Sequence, residues 1–379
     1  MEQPKNLEQY TDKYFLRAKE ILEKEELNPF VRAQVFIRKG PGRVYGIDEA
    51  IELIQSYCDL DDRGVIWALP EGAEYSPKET LMLIEARIQD IVALETLYLG
   101  IISSATTKAN DGIDIDLAKV EKNMKAVVDA AQGRPVSYFG ARHWHWNREK
   151  EISFAAYKGG ASSTATDIGA AVKGQKGIGT IPHALENIYA WKYGKDNAVV
   201  EATKAFDRVI SEEVPRIALI DYNNREVDDA LATAFALDGR LNAVRIDTCG
   251  ENIGQEASLS DPREYWGGSG VRVSGVYAVR KALDENGFQD VKIILSSGFG
   301  NVDKINAFIG AEEELGVRLF DGLGVGSIYQ SRAATMDIVS VGEYPADMQP
   351  VSKVGREYKP NPRLELKVGM PTRFYNCLK

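Results

Sequence analysis

From Asp114 to about Met336 the chain repeats one pattern: a short β-branched run, then a helical stretch. The runs are "PVSYFG", "GIGTIPH", "RIALIDY", "NAVRIDT", "VKIILSSG" and "VRLFDGLGVG". Between them lie segments such as "NREVDDALATAFALDG", "SGVYAVRKALDENG" and "NVDKINAFIGAEEELG". Strands that are apolar throughout, alternating with helices, predict a parallel sheet covered on its outer face. The runs end in Gly, Asp, Ser or His, so polar residues gather where strands give way to helices. That rim is where β/α barrels and doubly wound sheets carry their chemistry. No G-x-G-x-x-G opens a helix near the start, which favours a barrel over a dinucleotide fold.

The flanks differ. Residues 1–113 mix elements: "NLEQYTDKYFLRAKEILEKE" and "DEAIELIQSY" have helical spacing, and "VRAQVFIRKG" alternates like a strand. The segment "PKETLMLIEARIQDIVALETLYLGIISSATTKAN" is expected to be helical throughout and buried on more than one face. Strand-like, Pro-rich sequence returns after Met336. The expected α/β fold is therefore an irregular β/α barrel over 114–335. An additional α+β sandwich domain is built from 1–113 and 336–365, and a tail follows over 366–379.

Composition narrows the function. A net charge of −10 disfavours nucleic acid, whose phosphates demand a basic face. No apolar run reaches the roughly 18 residues of a membrane span, and "MEQPKNLEQY" lacks the pattern of a secretory signal. Three cysteines, odd in number and far apart, argue against a disulfide framework. A cytoplasmic setting is expected. An acidic chain can still bind small anions where arginines and backbone amides converge.

Several motifs offer such convergence. "VRIDTCG" places Arg245 and Asp247 two residues apart, on one side of a strand. The pair is either a structural ion pair or an anion grip beside a group that holds a ribose or metal. "LSSGFGNVDKI", with Ser297 and Gly298, and "DGLGVGSI", with Gly324 and Gly326, are small-residue loops in consecutive βα units. Barrels commonly bind phosphate there. "YFGARHW" sets Phe139, able to stack on a planar ring, near Arg142, able to pair with an anion. "GTIPHAL" holds Thr180 and His183, the latter one of only three histidines.

In order and spacing these motifs resemble the nicotinate phosphoribosyltransferases of the type II phosphoribosyltransferase family, over nearly everything up to about Lys353. "YTDKYF" resembles the family's Thr-Asp-x-Tyr element, "FGARH" its Phe-Gly-x-Arg-Arg strand, and "GTIPHAL" its Gly-Thr-x-x-His segment. "VRIDTCG" resembles Arg-x-Asp-Ser-Gly, and "SSGFGNVDKI" and "GLGVGS" resemble its two phosphate loops. Two positions depart from the pattern: His143 replaces the second arginine, and Cys249 follows Thr248 where Gly usually follows Ser.

The resemblance implies transfer of a phosphoribosyl group from phosphoribosyl pyrophosphate to nicotinate, with Mg²⁺ neutralising the departing pyrophosphate and ATP as co-substrate. It makes His183 the residue phosphorylated from ATP and Arg245 the anion grip. Asp221 and Asp247 become candidates for ribose hydroxyls or the metal. Ser297–Gly298 and Gly324–Gly326 would hold the 5′-phosphate. Thr180 lies in the substrate-binding segment. Phe139 and Tyr14 would sandwich the pyridine ring, the tyrosine coming from a second subunit, so a homodimer or higher oligomer with shared sites is expected. Uncharged Ser162, in "GGASST", suits a carboxylate substrate, where an aspartate would repel it.

Rival readings are quinolinate or nicotinamide phosphoribosyltransferase, a sugar-phosphate lyase or isomerase on a barrel, and a non-catalytic binding protein. The end, "FYNCLK", reads as the first half of a zinc knuckle in which Cys377 would be one ligand of a structural zinc completed beyond Lys379.

Overall fold

The computed structural model describes residues 4–58, 60 and 64–369. Among the described residues twelve strands form the two larger sheets, beside a short two-stranded pair (Gly42–Arg43 with Glu74–Tyr75): β1 Phe30–Ile37, β2 Val65–Ala68, β3 Thr80–Arg87, β4 Val136–Tyr138, β5 Ser163–Thr164 and β6 Ile217–Leu219. The series continues with β7 Ala243–Ile246, β8 Lys292–Leu295, β9 Gly322–Val325, β10 Ala334–Gly342, β11 Gln349–Pro350 and β12 Glu365–Val368. They fall into two compact units. One comprises residues up to Ile115, Ala141–Glu149 and the chain from Gln330; the other comprises Asp116–Gly140 and Lys150–Tyr329.

The first unit is built on an antiparallel sheet of order β11-β10-β1-β3-β2-β12. Helix α1 (Lys13–Lys24) buries Phe15, Ala18, Ile21 and Leu22, a stripe at helical spacing. Helix α2 (Glu95–Asp111) buries residues all round its first half. Arg32 Nε donates to Glu85 Oε1 at 2.6 Å across directly opposed residues of β1 and β3, so this buried carboxylate has a charged partner.

Here the structure corrects an expectation. "TLMLIEAR" is β3, not the start of a long helix, and helical structure begins only at Ile88. β3 lies between β1 and β2 and is buried at almost every position. A central strand reads as a continuous apolar run, which periodicity cannot separate from a buried helix. The helical stretch from Ile88 to Asp111 is long and apolar enough to cross a membrane, but most of it is buried within the unit.

Ala141–Glu149, expected within the barrel, belongs to the first unit. Ser103 Oγ donates to the carbonyl of Arg142 at 3.0 Å, and a Cβ at Gly100 would overlap the carbonyl oxygen of Trp144.

The second unit is a parallel sheet of order β5-β4-β9-β8-β7-β6. "GIGTIPH", expected as a strand, is irregular: Gly179 has φ +140° and Pro182 lacks an amide hydrogen. It does a strand's work in part. Ile178 N donates to Thr164 O at 2.9 Å at one edge of the sheet, and Thr180 Oγ1 donates to Ile217 O at 2.9 Å at the other. The edge strands β5 and β6 are thereby bridged, closing an irregular barrel.

Because the atoms opposing a Gly100 side chain are backbone, Gly100→Ala should destabilise the protein by about 1–3 kcal/mol. Chemical denaturation should report this loss. Gly112→Ala, at the exposed end of α2, has open space around its Cβ and serves as the comparison, its penalty arising only from its φ of +64°.

Candidate functional site

Strand alternation sorts the barrel residues into two faces. Val244, Ile246, Ile293, Leu295, Val136 and Leu323 have one parity and are almost wholly buried. Register places Arg245 beside Leu219 and Ile294, and Gly324 beside Ser137, which is beside Ser163. These residues share the other parity, which is continued past the strand ends by Asp221, Asp247, Gly326 and Phe139. Ser137, Phe139, Ser163, Arg245 and Asp247 are only half-buried. The interior of the barrel therefore presents two carboxylates, a guanidinium, two hydroxyls and an aromatic ring. Arg245 and Asp247 form no ion pair with each other or with any other described residue.

His183 opens helix α3 (His183–Tyr193), immediately after the bridging segment. Its Nε2 lies 3.1 Å from Oδ1 of Asp221, and Asp221 is fully buried. A buried carboxylate accepts the Nε2–H, so the ring's lone pair resides on Nδ1. Thr180 supports this arrangement through its bond to Ile217 O.

Asp247 is fixed by its neighbours. Thr248 Oγ1 donates to Glu226 Oε1 at 2.7 Å, and the amide of Gln255 donates to Glu226 Oε2 at 2.7 Å. Glu226, the first residue of helix α4 (Glu226–Leu237), thus clamps both ends of the loop that carries Cys249 and Gly250. Within α4, burial pushes the carboxyl of Asp229 up to about 7 against the pull of Arg225.

Past β8, Ser297 and Gly298 both have left-handed backbone, with φ of +67° and +86°. The amides of Ser297, Gly298, Phe299 and Gly300 donate to no group among the described residues. Asn301 then caps helix α5 (Val302–Leu315) by accepting from the amide of Asp303. Successive amides without an intramolecular acceptor ahead of a helix can form a concave anion site.

The placement of three expected site residues differs from what the sequence suggested. Ser162 has the wrong parity: it is exposed, and its hydroxyl returns to the carbonyl of Val136 at 2.9 Å. Ser163 faces the interior instead, bonded to Ser137 at 2.9 Å. Gly324 lies inside β9 rather than in a loop, and a Cβ there would stand 2.6 Å from Cδ2 of Phe139. Its role is to leave room for that ring. Arg142 is held by an ion pair at 3.2 Å to Glu95, whose carboxyl burial pushes up to about 8 against the pull of Arg142. Arg142 and Tyr14, the latter packed on Phe15 at 4.3 Å, belong to the first unit. Beside Arg142, burial holds His143 down at about 4, so the residue in place of the family's second arginine is neutral at pH 7. Cys377 lies outside the described residues. No group of three or more His, Cys, Asp or Glu suited to a metal occurs among those described.

Lys304, in the first turn of α5, was not anticipated. It is only 7% exposed, and Nζ donates to Ser297 O at 2.9 Å. A lysine in an amphipathic first turn ordinarily faces solvent. The available signal was its helical spacing to Phe308 and Ala311, which sets it on the buried stripe.

Gly324→Ala should destabilise by about 1–3 kcal/mol, more than Gly322→Ala, whose Cβ would meet Pro135 at an ordinary 3.4 Å. Combining Gly324→Ala with Phe139→Ala should recover part of the loss, a coupling measurable as about 0.5–3 kcal/mol in a double-mutant cycle.

Comparison with known proteins follows the same lines. Residues 12–106 match the family model "Quinolinate phosphoribosyl transferase, N-terminal domain". The chain is 26% identical over 351 residues to nicotinate phosphoribosyltransferase pncB2 of Mycobacterium tuberculosis, covering 84% of this chain and 65% of that protein. Among solved structures it is similar to a nicotinate phosphoribosyltransferase from Porphyromonas gingivalis, with TM-score 0.67 and 14% identity over 95% of this chain and 97% of that one. A second, from Vibrio cholerae, gives TM-score 0.66 and 14% identity over 92% and 88%. Residues 12–106 thus match that N-terminal domain, and the chain as a whole shares the fold of these two nicotinate phosphoribosyltransferase structures.

Proposed function

We propose that the protein is a nicotinate phosphoribosyltransferase, forming nicotinate mononucleotide and pyrophosphate from nicotinate and phosphoribosyl pyrophosphate in NAD biosynthesis or salvage. The observation that carries this reading is the set of Phe139, Ser163, Arg245, Asp247 and Asp221 on one face of the barrel, with His183 bonded to Asp221. The protein's work is positioning and electrostatic stabilisation of an oxocarbenium-like centre, so no protein nucleophile attacks the sugar.

In this reading Phe139 stacks on one face of the pyridine ring, and Arg245 pairs with an anionic group of the substrates. The outward amides at Ser297–Gly298, with Gly326 on the neighbouring strand end, receive the 5′-phosphate. Asp247, with no ion-pair partner, fits Mg²⁺ as an oxygen ligand, because such sites use one or two carboxylates together with substrate phosphates. Bound there, the ion would neutralise charge on the leaving pyrophosphate. His183 takes the γ-phosphoryl of ATP on Nδ1. The bond to ADP breaks as the bond to nitrogen forms, and water later releases inorganic phosphate. Asp221 holds the ring and stabilises the cationic phosphoimidazole. Tyr14 completes the ring sandwich from a second subunit of a homodimer, and the enzyme works in the cytoplasm.

Supplied with Mg²⁺ and phosphoribosyl pyrophosphate, the purified protein should consume labelled nicotinate and leave nicotinamide and quinolinate largely untouched. Equal turnover of either rival would replace this assignment. ATP should leave an acid-labile, base-stable label, lost in His183→Ala and reduced more than tenfold in Asp221→Asn. His183→Ala should retain ATP-independent synthesis, because the ring-joining step requires only the two substrates and Mg²⁺.

Parity yields a sharper test of substrate choice. Ser163→Asp should cut kcat/KM for nicotinate at least a hundredfold by setting like charges together in the barrel. Ser162→Asp, on the outer face, should change it less than threefold. The reverse order would restore Ser162 to the site.

A further inference from the structure

Nothing in the proposed reaction accounts for a lysine beneath the loop that follows β8. Lys304 is 7% exposed, and the ammonium-bearing end of its side chain turns back under Ser297–Gly298 instead of out to solvent. Nζ stands 3.5 Å from where a Cβ on Gly298 would be, so it touches the underside of the left-handed turn. It also lies 4.2 Å from the centre of the Phe299 ring. Charged groups approach from two other elements: Arg272, ahead of the helix Val273–Glu285, and Asp247, at the end of β7. Burial, reinforced by Arg272 and opposed by Asp247, pulls the amine down to about 7.

Burying an amine this deeply is unfavourable unless something uses it. One of its hydrogens goes to the carbonyl of Ser297. That bond draws the carbonyl inward, and across the trans peptide the N–H of Gly298 then points the opposite way, outward. That amide and those of Phe299 and Gly300 have no acceptor among the described residues.

We propose that Lys304 is a positioning residue for a sugar-phosphate group, holding the loop 296–301 in its amide-outward form and placing positive charge directly behind the bound phosphate. The inference rests on the phosphoribosyltransferase reading for the identity of the ligand. The geometry itself requires only a monoester phosphate at this loop. Lys304 acts through the loop and does not touch the substrate.

The test uses the full chain with Mg²⁺ and two probes, ribose 5-phosphate and inorganic pyrophosphate, titrated by calorimetry, together with steady-state KM values. Lys304→Met should weaken ribose 5-phosphate binding tenfold or more and raise the KM for phosphoribosyl pyrophosphate to match. The Kd for pyrophosphate and the KM for nicotinate should stay within twofold. Lys304→Gln keeps a donor for Ser297 without the charge. It should recover part of the lost affinity, and it carries the test if Lys304→Met does not fold. A merely structural lysine would move all four constants together or none, and either result overturns the proposal. Product formation with unchanged ribose 5-phosphate affinity in both variants would refute the role of Lys304 and leave the enzyme assignment intact. Lys304-dependent binding of ribose 5-phosphate without nicotinate turnover would do the opposite.

Discussion

A parallel sheet that is to form a barrel must satisfy the two strands at its ends, and here that requirement governs the site. β5 and β6 would each present a row of unpaired backbone groups. The segment from Gly177 to Pro182 meets both, through Ile178 on one side and the Thr180 hydroxyl on the other. It is too irregular to be a strand, and its irregularity is useful. A regular strand would run on along the wall, whereas this segment ends at a proline and starts a helix at the rim. His183 is delivered there, against the carboxylate of Asp221. Closure of the barrel and presentation of the imidazole are one structural event.

Around that closure an acidic protein assembles a local cationic environment. With a net charge of −10, the long-range field does not draw anions in. Selectivity must come from groups at short range in partly buried surroundings, where Coulomb terms are less screened. In the proposed site, Arg245 on the wall, the amides after β8, and Lys304 with Arg272 nearby are the groups placed to supply this. Burial favours the protonated form of Asp229, which keeps that acidic group from opposing it.

Much of this was legible in the sequence. Strand–helix alternation gave the barrel, and the polar ends of the runs gave the rim with Asp221, Asp247 and Ser297. What stayed hidden has identifiable causes. β3 is apolar at nearly every position because it sits mid-sheet, so its pattern matched a buried helix equally well. Ser162 and Ser163 are chemically alike, and a register slip of one residue reverses the face a side chain meets. Only the pairing of Ser163 with Ser137 decides between them. Arg142 finds Glu95 across 47 positions of sequence, a contact no local motif encodes. Gly324 looked like a loop glycine because the ring it accommodates is brought to it by a neighbouring strand.

The pairing of β1 with β10 has a consequence for how the chain is made. Arg38, at the end of β1, bonds to Thr335 of β10 across 297 positions. During synthesis β1 and β3 emerge early and can pair, but the outer edge of β1 stays open until nearly the whole barrel has been translated. The entropy of closing so long a loop grows only logarithmically, so a barrel already folded in between makes the late docking cheaper by shortening the effective connection. Topology therefore favours an order of assembly in which the inserted unit is completed before the first unit, whose open strand edge would need protection in the interval.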